Sequence, residues 1–147
     1  MKTLFVLSGL LFLLGQDCKN SKQTAQTNQA MVDSAQLDGN WVMNYVLAPG
    51  RNFDSLYHDR KPTISFNLAA NKFAGNSSCN NFNGPLQITG NSISFAAPFA
   101  MTRMACPGDG EKIFLETLNK VNHFSITNKN TLNFMMGDTA VMRFVKQ

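Results

Sequence analysis

From Leu37 to the C-terminus the chain is built of short apolar alternations with period two, broken at roughly even spacing by Gly, Asn, Asp and Pro. Successive side chains point to opposite faces of a strand, so this pattern buries one face of a pleated sheet and gives no continuous helical stripe. Leu37–Leu47 sets Trp41, Met43, Tyr45 and Leu47 on one face, and Thr63–Leu68 sets Ile64, Phe66 and Leu68 inward. A turn at Ala69–Asn71 leads into Lys72–Gly75. Pro85–Thr89 and Ser92–Phe95 flank Gly90-Asn91, a tight hairpin signal, and Phe99–Met104 reads as a further strand. The last third repeats the rhythm as a meander of His123–Thr127, Thr131–Met135 and Thr139–Val145, with turns at Asn128–Asn130 and Gly137-Asp138.

One segment breaks the alternation. In Pro107–Asn122, Asp109 can cap a helix, Glu111 falls in the first turn, and Phe114, Leu118 and Val121 recur at helical spacing. The expected fold is mainly β (α+β): an antiparallel barrel of about eight strands with one helix packed across it, because closure removes the edges so many short strands would expose. Trp41, Phe66, Phe73, Phe95 and Phe134 are the expected core, and the eight methionines read as barrel filling. The connection Pro49–Lys61 is longer than a hairpin needs, and reads as a solvated or functional loop. A length of 147 residues suits one domain, and a net charge of +4 is too small to indicate a nucleic-acid partner.

The N-terminus has a different character. Lys2 precedes an apolar or small stretch from Leu4 to Gly15, which has the length of a secretory signal core and is too short to span a bilayer. The polar run that follows, rich in Gln, Asn, Ser, Thr and Ala, suits a solvated tether. The expected organisation is therefore a signal peptide at 1–17, a flexible polar tether at 18–36, and a domain at 37–147. Cys18 stands where bacterial lipoproteins carry the lipidated cysteine, which would hold the chain at a membrane. Gly15, Gln16 and Asp17 depart from the usual residues before that cysteine, so cleavage near Gly15 and an uncleaved leader remain as alternatives.

If Cys18 is taken up by an anchor, Cys79 and Cys106 are left as a pair for an oxidising compartment. A disulfide between them would contribute roughly 3–4 kcal/mol in the chain-entropy account. Two buried free thiols are the other reading, and spacing does not choose between them.

Two segments stand out together: Gly75-Asn76-Ser77-Ser78-Cys79-Asn80-Asn81-Phe82-Asn83-Gly84, and Met101-Thr102-Arg103-Met104-Ala105-Cys106 followed by Glu111. With Leu37-Asp38-Gly39-Asn40-Trp41 at the start, the chain resembles the META domain, the HslJ-like family of small bacterial envelope and heat-shock proteins. The resemblance runs in order through G-x-x-x-C-N-x-F-x-G and T-R-M-A-C over Leu37–Val145. It implies a lipocalin-topology antiparallel barrel with a helix across it, and no known enzyme. It also implies links to heat-shock response, novobiocin resistance, motility or secretion, and envelope lipoproteins.

Asn80, Asn81 and Asn83, interleaved with Gly75 and Gly84, read as a shaped connection between strands, since such residues bond nearby backbone and tolerate left-handed conformations. Thr102 and Arg103 fall on the expected strand before Cys106, where an arginine can fork onto carbonyl oxygens of a neighbouring loop. If the cysteines are bonded, these residues form one polar patch at a barrel end. It is a candidate binding patch for a peptide or small ligand, or simply a rigid corner.

Catalytic groups are sparse. His58 and His123 sit in no metal or triad spacing, and Asp54, His58 and Asp59 read as solvated charge. Ser77 and Ser78 lack a nucleophile-elbow pattern. In Cys106-Pro107-Gly108-Asp109-Gly110-Glu111 the carboxylates would repel a phosphate. The expectation is a non-enzymatic, exported envelope stress protein without metal or cofactor, binding or stabilising an unidentified envelope component. The alternative is a periplasmic barrel that takes a small molecule.

Overall fold

The computed structural model describes residues 34–147. The expected signal peptide, Cys18 and the tether as far as residue 33 lie outside the described residues. Residues 34–36 are helical, and the Gln36 carbonyl accepts a hydrogen bond from Lys146 Nζ at 3.0 Å.

The strands are β1 (Gly39–Val46), β2 (Thr63–Asn67), β3 (Lys72–Asn76), β4 (Asn81–Pro85), β5 (Gln87–Thr89), β6 (Ser92–Ser94), β7 (Ala100–Met101), β8 (His123–Thr127), β9 (Thr131–Met136) and β10 (Thr139–Lys146). The helices are α1 (Phe53–Leu56) and α2 (Gly110–Leu118). All ten strands form one antiparallel sheet in the order β5-β6-β8-β9-β10-β1-β2-β3-β4-β7. The chain passes from β4, near one end of this order, to β5 at the other end, across the single residue Leu86. That connection forces the sheet to curl until its ends approach, giving a half-barrel. No ladder joins β5 to β7, so strand pairing does not close the barrel.

The concave side is filled by aromatic rings in mutual contact. Phe114 of α2 stacks on Phe82 at 5.6 Å between centroids; Phe73 meets Phe95 at 5.1 Å, Phe95 meets Phe134 at 5.3 Å, and Phe134 meets Phe144 at 5.1 Å. Trp41, Met43, Ile64, Phe66, Leu118, Phe124, Leu132 and Met142 complete the core. Burial of these large apolar surfaces is the main favourable term in folding such a chain.

The C-terminal meander follows the alternation of the sequence except at Val141, where the register of β10 shifts between Ala140 and Met142 and the consecutive Val141 and Met142 are both buried. Three other places depart from it. In β1 the register shifts between Met43 and Tyr45, so Asn44 is an extra residue and the inward face changes. Trp41 and Met43 are buried as expected, but Val46 is buried in place of Tyr45 and Leu47, and Leu47 is 41% exposed. The Asn- and Gly-rich segment expected to be only a connection holds β4, pairing with β3 on one side and β7 on the other. The strand expected over Phe99–Met104 is confined to Ala100–Met101, because Met104 donates its backbone N–H to a side chain, Asn80 Oδ1, rather than to a ladder. The count is thus ten strands, with a short second helix in the long loop.

That loop is docked. Asn52 Oδ1 accepts from the Ser55 N–H at 3.0 Å and caps α1, while the buried Tyr57 hydroxyl donates to the Gly110 carbonyl at 2.9 Å. Asp109 occupies the position before α2 without capping it, because its carboxylate turns to Arg51 at 2.5 Å.

Candidate functional site

The two sequence signatures meet at one corner. Gly75 and Gly84 frame it, and close approach rather than left-handed backbone explains both. A Cβ on Gly75 would lie 2.2 Å from the Thr63 carbonyl oxygen, and one on Gly84 would lie 2.6 Å from Phe99 Cβ. The left-handed residue of the connection is Ser78, at φ 88°. This turn brings Cys79 to Cys106, which are joined by a disulfide with a Cα–Cα distance of 5.9 Å.

Asn80 is the hub. Its side chain is 1% exposed and contacts two segments distant in sequence. Oδ1 accepts from Thr102 Oγ1 and from the Met104 N–H, both at 2.8 Å. Nδ2 lies 3.1 Å from each of the Met104 carbonyl, Cys106 Sγ and Glu111 Oε1. The Asn80 N–H is shared between Ser77 Oγ at 3.1 Å and Glu111 Oε2 at 3.2 Å, and the Ser77 hydroxyl donates to Glu111 Oε2 at 2.5 Å. One carboxylate in the first turn of α2 therefore ties the helix to the β3–β4 connection. Hydrogen bonds to a charged acceptor are each worth about 1.5–3 kcal/mol.

The remaining expected patch residues divide. Asn81 joins the corner: its N–H donates to Thr102 Oγ1 at 3.0 Å, and its Oδ1 accepts from Asn76 Nδ2 at 2.8 Å. Asn83 is exposed in β4 and beside Ala100 in the ladder, away from the hub. Thr102 and Arg103 do not lie on a strand. The expected fork of Arg103 onto a neighbouring loop does not form: Arg103 is exposed, and no partner for its guanidinium occurs among the described residues. The sequence gives no signal for the pairing of Ser77 with Glu111, beyond the place of Glu111 after T-R-M-A-C.

The result is a loop of unusual character. Residues 102–105 are all exposed, with Met104 at 59%, yet their backbone is bonded to a buried asparagine and followed by a disulfide. The histidines are elsewhere. His58 Nε2 sits 3.0 Å from Asp59 Oδ2 on the surface, and His123 Nδ1 is 2.9 Å from Asn122 Oδ1. Cys79 Sγ, Cys106 Sγ and a Glu111 oxygen lie within 4.8 Å of one another, although sulfurs bonded to each other offer no thiolate to a metal.

A family model for the META domain matches residues 34–147. No curated protein matches the chain in sequence. Among solved structures, the chain is similar to an NMR structure of a protein from Burkholderia xenovorans, with a TM-score of 0.62 at 18% identity over 97% of this chain and 99% of that one. A second NMR structure gives a TM-score of 0.55 at 20% identity, covering 76% of this chain and 92% of the other. A crystal structure of a DUF4847 family protein from Bacteroides vulgatus gives 0.51 at 16% identity, covering 79% and 97%. At these identities the likeness shows a shared fold.

Proposed function

The chain belongs to the META domain family, and from that premise we propose that it is a non-enzymatic, exported envelope protein. It binds or stabilises another envelope component through the clamped loop 102–105, with Cys18 as the point of membrane attachment. The observation that carries this reading is the contrast within the loop, where a backbone fixed by Asn80, with Thr102 Oγ1 bonded inward, presents the side chains of Arg103 and Met104 to solvent. A surface ordered before binding loses less conformational entropy on association, and Met and Arg are enriched at protein interfaces.

Two further observations support it. The ring contacts that fill the half-barrel leave its interior to the core, which favours a surface partner over a small molecule carried inside. Ser77, the hydroxyl paired with a carboxylate, is 0% exposed and inaccessible to a substrate.

The test is photo-cross-linking in intact cells of the native host, with a photoreactive residue at Met104 and, as control, at Lys129. The reading expects a discrete adduct from position 104 in the envelope fraction, absent at 129 and lost on Arg103→Glu while the melting temperature is unchanged. Identical patterns at 104 and 129, or an adduct indifferent to Arg103→Glu, would overturn it.

A further inference from the structure

We propose that the outer edge of β7, continued through Arg103, takes up an extended acidic segment of the partner as an added β-strand. This rests on the reading of loop 102–105 as a binding surface and names how the partner is held. β7 ends the sheet order and pairs only with β4. The Thr102 N–H donates to the Asn81 carbonyl at 3.0 Å, so Ala100 and Thr102 turn their backbone groups toward β4. Asn80 prolongs the alternation past the end of β7. Its Oδ1 accepts from the Met104 N–H at 2.8 Å and its Nδ2 donates to the Met104 carbonyl at 3.1 Å, the pair of bonds that a facing strand residue would make. The backbone groups of Met101 and Arg103 therefore face away from β4, and no hydrogen bond reaches them among the described residues. The opposite end of the sheet offers less: the Ile93 N–H donates to Asn122, away from β5, so Ile88 alone in β5 turns its backbone outward.

The occupant follows from the groups on offer. Backbone donors and acceptors two residues apart, about 6.5–7 Å along the chain, are matched by an extended main chain. Charge then selects its sequence. Arg103 is exposed, and no partner for its guanidinium occurs among the described residues. A carboxylate on the added strand, opposite Arg103, completes a cross-strand ion pair. Met104, 59% exposed, offers the same strand an apolar neighbour. A second copy of this chain fits poorly, because two such edges paired antiparallel about Arg103 would set two guanidiniums face to face. The edge is already held on its inner side by β4 and Asn80, so the ordering cost of pairing falls mainly on the incoming segment.

The experiment titrates the full oxidised chain carrying Cys18→Ser, isotope-labelled for NMR, with the capped peptide Thr-Val-Thr-Glu-Thr-Val-Thr. Its companions are the peptide with Lys in place of Glu and the glutamate peptide with its three central amides N-methylated. The glutamate peptide should give saturable amide shifts centred on residues 100–105, and it should slow exchange of the Met101 and Arg103 amides. The lysine peptide should bind at least about threefold more weakly, and the N-methylated one not at all. Arg103→Ala keeps the N–H and should lose the preference for glutamate over lysine. Arg103→Pro removes that N–H at an edge position where proline is accepted, and should bind the glutamate peptide at least about fivefold more weakly than Arg103→Ala does. No saturable shift, equal binding of the N-methylated peptide, no preference of the parent for glutamate, or self-association through residues 100–105 would each overturn the proposal. A discrete adduct from Met104 in cells alongside any of these results keeps the loop as a binding surface and removes only the strand pairing, whereas absence of that adduct removes the surface reading itself.

Discussion

Asn80→Asp replaces one amide nitrogen by oxygen at constant shape and places a second carboxylate at the centre of the corner. It removes the donations to the Met104 carbonyl, Cys106 Sγ and Glu111 Oε1, and sets a charged oxygen 3.1 Å from Glu111 Oε1. At an effective dielectric constant of about 20, two unit charges at that distance repel by about 5 kcal/mol. The pair escapes part of this by taking up a proton, which for an ordinary carboxyl at pH 7 costs about 4 kcal/mol and so caps the electrostatic penalty. A Met104 carbonyl left without its donor adds about 1 kcal/mol. The variant should therefore lose about 4–5 kcal/mol at pH 7. Like-charge repulsion raises the folded-state pKa of the introduced carboxyl above its unfolded value. The penalty is then greatest at neutral pH and shrinks as pH falls, leaving about 1–2 kcal/mol near pH 4. Urea unfolding of both proteins at the two pH values, without reductant, measures the difference. A loss below about 1 kcal/mol at pH 7, or one of equal size at both pH values, would refute the placement of Asn80 against Glu111.

Gly75→Ala should lower stability by about 3 kcal/mol, because its Cβ would press on the Thr63 carbonyl oxygen at 2.2 Å and on Phe82 Cζ at 2.6 Å across two ladders; an unchanged melting temperature would contradict that spacing. Reducing the Cys79–Cys106 bond, which spans a sequence separation of 27, should cost about 3–4 kcal/mol in urea titrations with and without phosphine. Burial pushes the Tyr57 phenol pKa up, so its neutral form contributes fully below about pH 10 and that contribution is lost as pH rises beyond it. Tyr57→Phe should give a shallower alkaline decline in stability than the parent, and parallel declines would show that Tyr57 plays no part.

The meander β8–β10 is legible in the sequence because period-two runs and turn residues agree with each other, as do Phe114 and Leu118 on the buried side of α2. β1 shows where the pattern stops being sufficient. One inserted residue, Asn44, moves Leu47 outward and Val46 inward, and nothing in the apolar alternation before it announces the bulge. β4 is hidden for a different reason. Asn and Gly are poor strand formers, and here the ladder tolerates them because Gly75 and Gly84 admit the rings of Phe82, Phe73 and the neighbouring Phe99. The corner is legible as residue types but not as a network. Asn80 acts on Met104 and Glu111 through contacts 24 and 31 residues away, and only the fold brings those groups within reach.

The central claim is that a buried asparagine holds an exposed loop rigid, and backbone amide hydrogen exchange at single-residue resolution tests it most directly. The Met104 N–H sits in an exposed, irregular segment but donates to Asn80 Oδ1, and the Thr102 N–H donates to the Asn81 carbonyl. Both should exchange slowly in the oxidised protein, and the Met104 amide should speed up sharply in Asn80→Ala. Exchange of Met104 at the rate of an unstructured peptide in the parent protein would contradict the account.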